Sequence, residues 1–78
     1  MRISLNQLPD GQAAVVAEIR AGGSLMARMT AFGLKPGRRI RVILRANWQG
    51  PLHVRVGMTE IMIRRSDAQS VQVAVDPA

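Results

Sequence analysis

Cysteine and tyrosine are absent from this chain, and tryptophan, phenylalanine and histidine occur once each. Without cysteine there is no disulfide, no thiolate metal site, no thiol nucleophile and no redox motif, and the chain suits a reducing compartment. Two aromatic residues leave almost nothing on which to stack bases. Single-strand and RNA platforms built on aromatic rings are therefore not expected. Acids are scarce as well, five against eleven lysines and arginines, which gives a net charge of +6. That excess points to an acidic partner: nucleic acid, an anionic membrane surface or an acidic protein patch. The longest apolar run, Ala13 to Ala17, is far too short to cross a bilayer. The opening residues MRISLNQLPDG hold one arginine and no apolar stretch, so no signal peptide is expected and a cytoplasmic location is.

What the chain does have is alternation. At 78 residues and 47% hydrophobic composition it reads as one globular domain over residues 1–78, of a size that buries only about 60% of its unfolded surface. Leu5 and Leu8 precede a PDG turn signal at Pro9 to Gly11. QAAVVAEIR (Gln12 to Arg20) then reads as a strand, with Ala13, Val15, Ala17 and Ile19 on one side and Ala14, Val16, Glu18 and Arg20 on the other. AGGSLMARMTAFGL is the one convincing helix. Ser24 is placed to cap its start, and Leu25, Met29 and Phe32 fall on one face at i, i+4 and i+7. Gly33 stands where a left-handed residue ends a helix, Leu34 is placed to contact Met29, and Pro36 forbids continuation.

Beyond the KPG turn, RRIRVILRA sets Ile40, Val42 and Leu44 against Arg39, Arg41, Ile43 and Arg45. A period of two is the mark of a half-buried strand, so these arginines read as its solvent face and not as a phosphate-gripping arm. NWQGP (Asn47 to Pro51) reads as a loop. LHVRVG turns Leu52, Val54 and Val56 inward, with His53 and Arg55 outward. EIMIRR turns Ile61 and Ile63 inward, with Glu60, Met62 and Arg64 outward. SDAQS (Ser66 to Ser70) reads as a single capped turn of 3₁₀ character, and Val71, Val73 and Val75 close the domain. The expected fold is mostly β: a small SH3-like barrel of about five strands, one short helix inserted between strands 1 and 2, and a helical turn before the last strand. Closing the strands into a barrel removes exposed edges.

Nothing in this pattern is catalytic, so an enzyme is not expected. His53, on a strand's outer face, has no acid in its own strand, and Asp10, Glu18, Glu60, Asp67 and Asp76 lie on separate elements. No sequence-local metal cage and no cofactor site are expected. Thioethers select Cu(I), so Met29 reads as core. AGGS lacks the GK[ST] that would make a nucleotide loop, and Trp48 alone does not line a groove for proline-rich peptides.

The segments LNQLPDGQAAVVAEI, SLMARMTAFGLKPGRRIRVI and GPLHVRVGMTEIMIRRSDAQSVQV together resemble the ferrous iron transport protein A (FeoA) family over about Leu5 to Val73. The most specific piece runs from Leu25 through FGLKPG to Arg39; Gly50, Pro51, Val54, Ile61, Arg64, Ala68 and Val73 resemble its second half. Met62 departs from the small residue common between the two aliphatics. The resemblance implies a small cytosolic accessory protein working with FeoB, a membrane importer of Fe²⁺ with a cytosolic GTP-binding domain. It also implies that the membrane is reached only through that transporter. A related domain ends iron-dependent repressors of the diphtheria-toxin-repressor type, where it makes protein contacts.

On this reading the partner-binding surface joins Met26, Arg28 and Thr30, off the helix's apolar stripe, to Lys35, Arg39, Arg41, Ile43 and Arg45. Methionine and arginine amid apolar residues suit a protein interface. Two other readings stay open: a small basic β-barrel binding nucleic acid, although no specific nucleic acid is expected, and a weakly self-associating scaffold subunit.

Overall fold

A computed structural model describes residues 1–45 and 50–75; Ala46 and most of the loop read at Asn47 to Pro51, with Trp48, lie outside them, as does Asp76. The chain forms β1 (Arg2–Ser4), a 3₁₀ turn (Leu5–Gln7), β2 (Ala13–Ile19), α1 (Gly23–Ala31), β3 (Arg39–Arg45), β4 (Leu52–Val56), β5 (Thr59–Ile63), α2 (Arg65–Ala68) and β6 (Val71–Val75). The strands pair antiparallel in the order β1-β6-β2-β3-β4-β5. The mostly-β architecture with an inserted helix and a turn before the last strand is as expected. There are six described strands and not five, since β1 pairs its three residues with β6. Among the described residues no ladder joins β1 to β5, so the sheet is not fully closed.

Two bulges decide which side chains enter the core. On β2, Ala14 and Val16 are buried; the register then slips between Val16 and Glu18, with Ala17 as the extra residue. Glu18 is thereby returned to solvent and Ile19 enters the core opposite Val71. On β3, Ile40 and Val42 are buried, and Ile43 is the extra residue before Leu44. The expectation that Leu44 points inward is therefore corrected: it stands opposite His53 on the outer face, 57% exposed, while Arg45 takes the position opposite buried Leu52. β4 and β5 carry no such slip and keep their alternation, with Leu52, Val54, Val56 and Ile63 buried.

The helix differs from its wheel at both ends. It begins at Gly23, with Gly22 in the cap position and no side-chain cap, so Ser24 lies inside the first turn. Met29 is buried, and both Leu25 and Met26 pack on the core, which corrects the placing of Met26 on the outer face. Phe32, the C-cap, stays on the face of Leu25 and Met29 but is 46% exposed. Leu34 takes the interior place instead. The N–H of Leu34 donates to the carbonyl of Met29 at 2.9 Å, and that of Gly33 to the carbonyl of Thr30 at 2.9 Å, around Gly33 at φ 88°. These two bonds are the Schellman closure. The turn read at Ser66 to Ser70 begins one residue earlier and is α-helical.

Candidate functional site

An apolar groove lies between α1 and the edge strand β5. Leu25, Met29 and Phe32 from α1 and its cap face Met62 and Ile63 from β5, with Leu34 at the base, around a groove of about 170 Å³. Phe32 and Met62, the latter 57% exposed, stand at its mouth. Its polar rim is Arg28, Arg64 and Asp67, with Arg28 and Asp67 4.0 Å apart. An apolar floor with arginine at the rim is the composition of a protein-docking surface. Sequence reading missed it because its two walls come from distant segments.

The residues singled out in the sequence do not gather on one face. Arg28 lies on the groove rim, Thr30 is exposed on α1, and Met26 turns to the core. Lys35 is exposed at the helix exit. Arg39 and Arg41 line a second, shallower depression of about 270 Å³ with Ala13, Ile40, Arg55 and Gly57. Arg41 also donates to the carbonyl of Gly11. Ile43 is half-buried at the bulge. Arg45, its side chain only 22% exposed, donates to the carbonyls of Asn6 and Leu8 and meets Asp10 at 3.2 Å. Three acceptors make it a brace for the loop before β2.

His53 has an acidic neighbour that its own strand does not supply. Glu60 of β5 accepts from His53 Nε2 at 2.7 Å and from Arg55 Nη2 at 2.8 Å. The Arg55 bond, then the His53 bond, hold the Glu60 carboxyl below its ordinary value. Among the described residues no three of His, Cys, Asp and Glu gather as a metal cage. No described helix is long and apolar enough to cross a membrane.

Comparison with known proteins agrees with this architecture. A comparison with curated protein sequences gives no match. The chain is similar to an iron uptake regulatory protein (FeoA) solved by crystallography, at 27% identity and a TM-score of 0.88, covering 95% of this chain and 97% of that one. It is similar to Stenotrophomonas maltophilia FeoA complexed with zinc, described as an SH3 domain protein, at 31% identity and a TM-score of 0.77, covering 95% and 89%. A manganese-dependent transcriptional repressor shares the fold at 22% identity and a TM-score of 0.87, with 96% of this chain covering 42% of that one. The FeoA domain model matches residues 3–75, and with that match and the SH3-like fold the chain belongs to the FeoA family.

Proposed function

We propose that this chain is a cytoplasmic, non-enzymatic accessory protein of ferrous iron uptake that docks on the cytosolic GTP-binding part of a FeoB-type transporter. The observation that carries this reading is the groove between α1 and β5, with exposed Phe32 and Met62 over a buried floor and Arg28 and Arg64 at its edge. Its occupant is an apolar side chain on an acidic face of the transporter, complementary to a chain of net charge +6. Family membership supports the transport context. Arg45, bound to its own loop, plays no part in docking.

The test is a titration of the whole chain against the cytosolic region of its cognate transporter, at low and near-physiological salt. Duplex DNA runs in parallel. Saturable binding that survives salt, and falls at least tenfold in Phe32→Glu or Met62→Glu, supports the reading; a buried contact truncated at an interface centre costs about that much or more. Binding to DNA alone, or transporter binding indifferent to both substitutions, overturns it.

A further inference from the structure

We propose that the end of the molecule formed by the Lys35–Arg38 turn and the β4–β5 hairpin tip docks directly on an anionic lipid surface, with Met58 entering the headgroup layer. This adds a direct contact to the transporter-only route implied by the family resemblance, and it stands whether or not the transporter reading does.

The hairpin places Met58 where nothing of the protein covers it. Val56 pairs with Thr59, so Gly57 and Met58 alone form the loop, and Met58 is 100% exposed. The pairing of Ile40 with Val56 brings the start of β3 alongside this tip. There Arg38 reaches across: its Nη2 lies 3.1 Å from the place a Cβ on Gly57 would occupy and 3.7 Å from that on Gly33. The N–H of Arg38 donates to the carbonyl of Lys35 at 3.2 Å, which fixes Lys35 in the same turn. The shallow depression lined by Arg39, Arg41 and Arg55 opens beside Gly57, so the cations continue from the tip onto the outer sheet face.

The carboxylates do not neutralise the Lys35–Arg38 turn, although Glu60 pairs with Arg55 beside it. Asp10 is taken by Arg45, Glu18 by Arg2 and Arg20, Asp67 by Arg28, and Glu60 by Arg55 and His53. Lys35 and Arg38 have no carboxylate within ion-pair distance among the described residues. An uncovered apolar side chain at a hairpin tip, with Arg38 beside that tip and Lys35 in the turn of Arg38, matches the boundary between headgroup and acyl chain in both polarity and charge. Nucleic acid would satisfy the cations and leave Met58 in water.

Vesicle sedimentation tests this on the isolated whole chain, using pure phosphatidylcholine and phosphatidylcholine with one-third phosphatidylglycerol, at low and near-physiological salt. Binding is expected to the anionic vesicles and not to the neutral ones, weakening as salt rises. Lys35→Gln and Arg38→Gln each lower the partition coefficient about fivefold, and Met58→Asp lowers it roughly tenfold. Lys35 and Met58 are exposed, so thermal melting of those variants should match the parent. Equal binding to both vesicle types, no binding, or an unaltered Met58→Asp variant overturns the proposal. Tighter binding to duplex DNA than to anionic vesicles at the same salt overturns it in favour of a nucleic-acid partner.

Discussion

Arg45 and Asp10 meet Nε to Oδ1 at 3.2 Å although 35 residues separate them in the chain. The same guanidinium donates to the carbonyl of Asn6 at 2.9 Å and to that of Leu8. Both carbonyls belong to the segment that leads from β1 into the PDG turn, and Leu5 and Leu8 of that segment are fully buried. Replacing Arg45 by alanine withdraws the donor from two backbone acceptors, and the expected loss of stability is about 2 kcal/mol. Arg45→Lys should recover less than half of it, because an ammonium cannot fork between separate acceptors. Urea unfolding of the three proteins, at unchanged denaturant dependence, measures both.

The stop of α1 offers a second test. Gly33 sits at φ 88°, and a Cβ there would meet only ordinary contacts, the nearest being Arg38 at 3.7 Å and Val56 at 3.8 Å. The cost of Gly33→Ala is therefore conformational and not steric, about 1–2 kcal/mol. Gly33→Asn should cost less than Gly33→Ala, since asparagine visits the left-handed region more readily. A thermal melt of the pair, ranked Gly, Asn, Ala, is the expected outcome; the reverse order of the last two would mean that space matters more than backbone.

Acid titration bears on Glu60. Its carboxyl is held below the ordinary 4.5 by Arg55 first and His53 second. The folded state thus releases this proton more readily than the unfolded state does. The resulting stabilisation is complete above the unfolded value and is lost as pH falls through the lower folded one. Stability measured by urea midpoint from about pH 6 to about pH 3 should decline more steeply for the parent than for Glu60→Gln.

How much of this was legible in the sequence follows from where the register is kept. β4 and β5 have no bulge, so the alternation of Leu52, Val54 and Val56 reported the core directly. On β3 the same rule reversed after Val42, since one extra residue turns every later side chain over. Leu44 and Arg45 exchanged faces for that reason, and no local signal in VILR marks the slip. β1 was missed because three residues carry too little periodicity to show. The helix's end, written in Gly33, Leu34 and Pro36, was readable; its start was not, because Gly22 caps it without a side chain. The groove was the least legible feature: Phe32 and Met62 become neighbours only through the tertiary packing of α1 beside β5.

The strand order has a temporal consequence. β6 comes last of the described strands in the chain, yet it lies between β1 and β2 in the sheet. The β3–β4–β5 meander needs only neighbouring segments and is free to assemble as synthesis proceeds. The other half has no such freedom: β1 and the bulged end of β2 keep their hydrogen-bonding groups in water until residues 71–75 leave the ribosome. Closing so long a loop is slow compared with forming a hairpin. β1 and the bulged end of β2 thus take their sheet partner from the last described strand, whereas every partner within the meander is a neighbour in sequence.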